Sequence, residues 1–345
     1  MKKLYTITLL TIVLLVAGTA NAQDPSFAQF FSSPLNINPA LTGNINADWR
    51  LISNMRDQWI GPASPYSTGT VSYDTKVGQK KYEGITENSN YLGIGAMLMY
   101  DKAMGGVQKS SYGSLNVSYN VKLAEDQYTI VHKLSMGFGA TYAHRAIDFS
   151  KVDFQSQFTG TGFDTKLPTG EAALSNMKAY TSLNTGIVYS ATSETSNFDI
   201  GAAAYHLNKP KQTFVQDENQ FVAVRKVVHA NFETVMNEKV VLNTNAIYQN
   251  QSGASYFSIG GSLGYKLDET EENSGTMVNA GLWYWSKNAM IPYVGLAYKD
   301  LQIGLSYDVT ISKLAQAARK PSTFELSIIL RGNRKGNGGI PCPWK

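Results

Sequence analysis

The sequence has very few cysteines and few charges. Cys342 is the single cysteine in 345 residues, so an internal disulfide and every metal site built from several cysteines are excluded. Charged residues make up 16% of the chain, and the formal net charge of +4 falls to +2 if Lys2 and Lys3 are removed with a signal sequence. A chain with so little net charge has no electrostatic footprint for nucleic acid. We therefore expect no metal, no cofactor and no nucleic-acid partner.

Long apolar runs are also scarce, and the longest lies at the N-terminus. Residues 4–18 are largely apolar, follow a positively charged start and precede the small-residue motif Ala-Asn-Ala at 20–22. This is the layout of a secretory signal with its cleavage site. A membrane anchor is the alternative, but the run is short for a span, and no later stretch approaches the roughly 20 apolar residues of a transmembrane helix. The sequence therefore predicts a signal peptide over 1–22 and an exported chain.

The mature chain is dominated by alternation of apolar with polar or small residues. Leu115, Val117 and Tyr119, for example, alternate with Asn116 and Ser118. Successive side chains of a strand point to opposite faces, so each such segment has one apolar and one polar face. With 20 Tyr, 30 Gly and a secretory signal, this favours an all-β fold, a transmembrane antiparallel β-barrel. About 14 strands are predicted, at 48–56, 66–75, 90–100, 110–123, 128–145, 179–190, 198–207, 224–236, 240–248, 255–267, 276–285, 290–298, 301–309 and 323–330.

The connections between these segments support a barrel over 48–330. Bacterial barrels have short periplasmic turns and long extracellular loops. Connections such as 237–239 are short, whereas 146–178 and 310–322 are long, which predicts periplasmic N- and C-termini in the outer membrane. The connection 76–89 does not fit, because it is long but falls on the periplasmic side. Either it is an elaborated turn, or the first two strands are not both in the barrel.

A large soluble β-sandwich or repeat protein is the alternative fold, since it shows the same alternation with its apolar face turned inward. It does not account for aromatic residues at the strand ends, which are typical of the interfacial girdle of a membrane barrel. The residues expected in this girdle are Tyr100, Tyr189, Tyr248, Tyr265, Trp283, Trp285 and Tyr298.

The stretch before the first strand, residues 23–47, combines aromatic side chains with Asn and Pro. It is too apolar to remain in water, so we expect it to pack inside the barrel or against its mouth as a plug-like segment. Glycine and serine on the lumen face of the strands leave room for a second backbone. The residues expected to form the plug or to bind a partner are Phe27, Phe30, Phe31, Asn38, Pro39, Arg56, Trp59 and, in the tail, Trp344.

The tail, residues 331–345, is basic and rich in glycine. It is either a disordered end or a periplasmic docking peptide, for which its final Pro and Trp residues are suited. The four histidines have no metal-site spacing, and the chain contains no nucleophile elbow. We therefore expect the histidines to be residues of the barrel wall and the protein not to be an enzyme, although an outer-membrane hydrolase with a site assembled across strands is an alternative.

Four stretches carry a resemblance to a known family. They read SFAQFFSSPLNINPALTG at 26–43, MRDQWIG at 55–61, YLGIGAMLMYDKAMGG at 91–106 and YKDLQIGLSYDVTISKL at 298–314. In these residues the chain resembles the PorP/SprF family of outer-membrane proteins of the type IX secretion system in Bacteroidetes.

The resemblance implies a role without chemistry. Such a protein supports export and surface attachment of a cognate large adhesin, in gliding motility or adhesion, by binding the adhesin's C-terminal (type B) domain. The partners implied are that adhesin, the type IX translocon and its periplasmic lipoprotein ring, beside outer-membrane lipids. An outer-membrane diffusion channel or a FadL-like transporter of hydrophobic compounds is the alternative, because the motif Asn-Pro-Ala at 38–40 also occurs near the start of FadL-type proteins.

Overall fold

The computed structural model describes residues 24–61, 64–79, 81–82, 85–86, 90–125, 130–170, 178–212, 220–267, 275–316 and 321–332. Within them, fourteen strands form one closed antiparallel barrel, in which each strand pairs with its sequence neighbours and the first pairs with the last. The predicted fold class and strand number are confirmed. The barrel strands are β1 Trp49–Ile60, β2 Tyr66–Val77, β3 Tyr91–Ala103, β4 Gln108–Glu125, β5 Val131–Ile147, β6 Tyr180–Thr192, β7 Ser196–Tyr205, β8 Arg225–Val235, β9 Val240–Gln251, β10 Ala254–Lys266, β11 Met277–Trp285, β12 Ala289–Tyr298, β13 Leu301–Tyr307 and β14 Ser322–Gly332.

The two faces of the wall differ as the alternation predicts. In β4, Leu115 and Val117 are exposed on the outside, whereas Asn116 and Ser118 are buried on the inside. The outward side chains form a broad apolar belt that includes Leu98 at 68% exposure and Leu115 at 70%. Because such a belt is stable in hydrocarbon and not in water, the outer face is a membrane face. No helix among the described residues is both long and apolar enough to cross a membrane.

The two ends of the barrel carry different connections. At the end where β1 finishes, which we call the long-loop end, lie the extended connections 148–179, 206–224 and 308–321; we call the opposite end the short-turn end. The long connection between β2 and β3 lies at the short-turn end and contains a small hairpin, Lys81–Tyr82 with Ile85–Thr86. Both β1 and β2 are in the barrel, so this connection is an elaborated turn.

The predicted aromatic girdle is partly wrong. Tyr100, Tyr248 and Tyr298 are about half exposed on the outside of the wall. Trp283 and Trp285, however, point inward, with only 1% and 7% of their surface exposed. An indole at the inner face is stable here because the lumen holds apolar side chains from the N-terminal part of the chain.

Candidate functional site

Residues 24–48, which we call the lumen segment, run through the interior of the barrel. Its chain forms a 3₁₀ turn at Phe30–Ser32, a single helical turn at Pro34–Ile37 and a second 3₁₀ turn at Pro39–Leu41. Proline is well suited to the first position of a helical turn, where its missing N–H has no partner to lose. Every residue over 27–45 except Asn36 is buried. Whether the segment closes the lumen to solutes stays a prediction.

Glu325 of β14 accepts hydrogen bonds from two backbone N–H groups immediately before the first turn of the lumen segment. Ala28 donates to Oε2 and Gln29 donates to Oε1, each at 2.7 Å. Arg56 of β1 donates to the same Oε2 at 2.8 Å and to Oδ2 of Asp308 at 2.7 Å. All three charged groups are almost completely buried. Arg56 therefore balances two carboxylates inside the barrel and positions the lumen segment through Glu325.

Asp74 of β2 holds the last part of the lumen segment in the same way. Arg50 donates to both carboxylate oxygens of Asp74, from Nε at 3.0 Å and from Nη2 at 2.9 Å. The backbone N–H of Gly43 donates to Oδ2 at 2.8 Å. Gly43 has a φ of +68°, and a Cβ there would lie 2.8 Å from Cα of Gly93 on the wall. A side chain is therefore excluded by both the turn and the close approach.

Asp24 is fixed at the long-loop end of the barrel. Its carboxylate lies 2.7 Å from Nε2 of His206 and 3.3 Å from Nε of Arg225, and its N–H donates to Oε1 of Gln251 at 2.9 Å. Burial alone would raise its pKa, but Arg225 and His206 hold the pKa of Asp24 well below the usual range of a carboxyl. β14, in contrast, ends with Gly332 at the short-turn end. Asp24 and Gly332, the first and last described residues, thus lie at opposite ends of the barrel, because the lumen segment runs through its interior. That both termini of the mature chain are periplasmic stays a prediction.

Asn38 lies directly against the inner wall of the barrel and is completely buried. Its Oδ1 accepts the N–H of Ala40 at 2.9 Å, which caps the turn that begins at Pro39. Its Nδ2 donates to the backbone carbonyls of Ile187 at 3.1 Å and Ala202 at 3.2 Å. One side chain thus stabilises the turn and joins it to β6 and β7.

Glycines of the wall make room for this turn. A Cβ added to Gly137 of β5 would overlap the backbone of Ala40, and one added to Gly93 of β3 would overlap the carbonyl of Thr42. The lumen face of these strands has no side chain at the points of closest approach. The wall and the lumen segment are therefore complementary in shape, as the glycine content of the strands suggests.

An aromatic cluster fills the lumen beside the first turn. Phe31 packs against Trp283 with ring centroids 4.7 Å apart and against Tyr293 at 5.7 Å. Phe30 meets Phe31 edge to face at 5.6 Å, and Phe27 is likewise buried. These rings give the barrel a hydrophobic core of its own.

A cavity of about 1170 Å3, which we call the vestibule, opens at the long-loop end. Residues 24–26 form its floor, and Trp59, Tyr66 and Lys287 contribute to its walls. Trp59 has a φ of +65° next to an irregularity in the β1–β14 register, a conformation that is rare for a bulky residue and concentrated at functional sites. Its ring stands edge to face on Tyr66, 5.3 Å away, and both rings remain partly exposed.

The structure thus divides the predicted site residues. The lumen segment contains Phe27, Phe30, Phe31, Asn38 and Pro39, and Arg56 lies under its first turn. Trp59 lies apart, in the vestibule, and Trp344 lies outside the described residues.

Sequence reasoning missed the carboxylates Glu325, Asp74 and Asp24. For two of them the sequence carries a signal, because Asp74 and Glu325 stand at positions of β2 and β14 whose alternation faces the lumen.

Among the four histidines, His206 and His229 are buried, and His132 lies 2.8 Å from the Tyr189 hydroxyl. No group of three or more potential metal ligands occurs in the described part of the chain.

A closed antiparallel barrel with an apolar outer belt is the architecture of an integral outer-membrane protein. Solved barrels with this fold include the TodX deltaS2S3 mutant, a monoaromatic hydrocarbon channel, at 10% identity and a TM-score of 0.50 over 88% of this chain and 94% of that one. A Pseudomonas aeruginosa FadL homologue matches at 10% identity and a TM-score of 0.44 over 85% of this chain and 92% of that one. The KdgM porin matches at 7% identity and a TM-score of 0.39 over 81% of this chain and 98% of that one. At 10% identity the likeness to the TodX barrel concerns the fold alone.

The sequence supplies the family. The family model described as "Type IX secretion system membrane protein PorP/SprF" matches residues 19–330. The chain therefore belongs to the PorP/SprF family and is a membrane component of the type IX secretion system. No curated protein matches it.

The contact between wall and turn predicts the effect of Gly137→Ala. The added methyl overlaps the backbone of Ala40, so we expect a loss of roughly 1–3 kcal/mol in the free energy of unfolding, as for other overpacked cores. Chemical denaturation in detergent measures it. Gly113→Ala is the matched control, since its Cβ would meet only Leu98, at an ordinary 3.6 Å. Equal stability of the two variants would contradict the position of the turn.

The buried charges predict the effect of Arg56→Leu. Two buried carboxylates lose their counterion, which costs about 3–5 kcal/mol when a buried pair is broken. The expected result is a much lower denaturation midpoint and cleavage of the lumen segment by added protease. Lys122→Leu serves as the control, because its pair with Glu125 is exposed and such pairs contribute about 1 kcal/mol or less. Similar losses in both variants would show that Arg56 does not hold the segment.

Proposed function

We propose that this barrel is a non-enzymatic docking component of the type IX secretion system. In this role it supports export and surface attachment of a cognate large adhesin by binding the adhesin's C-terminal (type B) domain. The observation that carries the proposal is the lumen segment, whose backbone is held by Glu325 and Asp74 and whose Asp24 side chain pairs with Arg225 of the wall. A barrel filled with its own chain is suited to be a rigid docking body, and the family supplies the secretion context.

The proposed orientation follows from the connections. Bacterial barrels have their longest loops outside the cell and their short turns in the periplasm. We therefore infer that the short-turn end faces the periplasmic lipoprotein ring and the translocon, with the tail after Gly332 on that side. The signal peptide, 1–22, is removed during export in this account, and the vestibule opens to the cell surface.

We infer that the vestibule is the contact surface for the adhesin. Trp59 and Tyr66 offer partly exposed aromatic rings there, and aromatic residues in pockets are the commonest anchors of protein interfaces. The cationic side chains that line the vestibule are Arg145, Lys287 and Lys313, and the anionic ones are Asp24 and Asp101. Asp24 is already paired with His206 and Arg225. The remaining positive charge favours an acidic segment of the partner.

A diffusion channel or a FadL-like transporter is the competing function. It would require a continuous path through the barrel, and the contacts of the lumen segment with Glu325, Asp74 and Arg225 of the wall argue against one. The filled lumen supports the docking role over the transport role.

Deletion of the gene is expected to remove the cognate adhesin from the cell surface. Complementation with Trp59→Ala or Lys287→Glu should give a folded barrel in the membrane but should not restore full surface display of the adhesin. Adhesin binding should fall roughly tenfold or more, as for an interface hot spot. Lys166→Glu, an exposed loop residue outside the vestibule lining, is the matched control. Surface labelling of the adhesin provides the measurement. Normal display of all type IX cargo in the deletion strain would overturn the proposal.

A further inference from the structure

Two lysines face each other on the outer wall of the barrel. Lys102 near the end of β3 and Lys109 at the start of β4 are direct register partners, and both side chains are exposed. Their neighbours Ala103 and Ser110 point inward and are buried, so the alternation directs both lysines outward. Side chains opposite each other in an antiparallel pair start about 5 Å apart, and like charges there are destabilising.

No described carboxylate compensates these two charges. The ion pairs among the described residues include neither lysine. Asp57 lies in the same outward row but two strands away, beyond Ser67, which is about 10 Å at the usual strand spacing. Asp148, beyond the end of β5, is paired with Lys151 at 3.5 Å. The pair of ammonium groups is therefore open to an external anion.

The position of the pair on the wall indicates which anion. Tyr100 and Tyr142 are exposed on the same face, on the side of the lysines toward the apolar belt, and Leu98 follows at 68% exposure. Tyrosine rings beside a lipid belt mark the interface between hydrocarbon and headgroups. Lysines just beyond that row lie at the level of the headgroups, which the long side chain reaches easily.

We propose that Lys102 and Lys109 bind the phosphate headgroup of a membrane lipid in the leaflet at the long-loop end. A phosphate between the two ammonium groups removes their mutual repulsion and gains two charge-assisted contacts. The hydroxyl of Ser111 and the imidazole of His144 lie opposite each other on the same face, one row closer to the belt, where they can donate further hydrogen bonds. This site is independent of the adhesin contact proposed above.

The test is lipid binding to the purified full-length barrel in neutral detergent, measured by native mass spectrometry. The probes are phosphatidic acid and, as the neutral comparison, phosphatidylcholine with the same acyl chains. We expect phosphatidic acid to be retained preferentially, with an affinity lowered about fivefold by one Lys→Gln change and about thirtyfold by Lys102→Gln with Lys109→Gln. Lys226→Gln is the matched control, since Lys226 is also exposed at this end but lies opposite Ala204 and Asn250.

Lys109→Glu gives a second variant that keeps the strand pairing favourable while reversing one charge, and it should abolish the preference for phosphatidic acid. Equal retention of both lipids by the native protein would overturn the proposal, and so would unchanged retention in the double variant. Inorganic phosphate without lipid is the remaining arm. If it binds as tightly as phosphatidic acid, the site is one for free anions, and the assignment to a lipid is wrong.

Discussion

Glu325 accepts two backbone N–H groups of the lumen segment while Arg56 balances its charge. The backbone groups of the buried lumen segment cannot form hydrogen bonds with bulk water, so each needs a partner from the wall or from the segment's own turns. A carboxylate supplies a stronger hydrogen bond than a neutral acceptor, but an unpaired carboxylate is very costly to bury. Arg56 compensates the cost of burying the Glu325 carboxylate, and that carboxylate fixes the position of the segment's backbone.

The same combination occurs at Asp74 with Arg50. At the far end the roles are reversed, because Asp24 of the segment pairs with Arg225 of the wall. Between these anchors the fit is apolar and steric. Phe31 fills the space beside Trp283, and wall glycines admit the backbone of the second turn. The polar anchors fix where the segment lies, and the apolar contacts fill the space between them. The barrel therefore has a packed core inside its wall, as a folded domain does.

The strands could be predicted well from the sequence, because alternation is a local signal that each strand repeats. The interior could not, because the partners are far apart in the chain: Gln29 and Glu325 are separated by 296 positions. From the sequence, Trp283 and Trp285 are expected in the girdle because aromatic residues near strand ends are usually interfacial, but the alternation along β11 places both on the inner face. The position of Asp24 at the long-loop end does not follow from the sequence either, since loop lengths orient strands but do not indicate that a preceding segment crosses the lumen. The motif at 55–61 predicts Trp59 as a site residue, but its left-handed backbone and its place in the vestibule depend on long-range contacts that the motif does not reveal.

The central claim is that residues 24–48 fill the lumen, and ion conductance across planar bilayers tests it most directly. We expect no ion conductance from the full-length mature protein and a conducting barrel after deletion of residues 24–42. Heat-modifiable migration on a gel would confirm that the deletion variant is folded. Steady conductance of the full-length protein equal to that of the deletion variant would contradict the account.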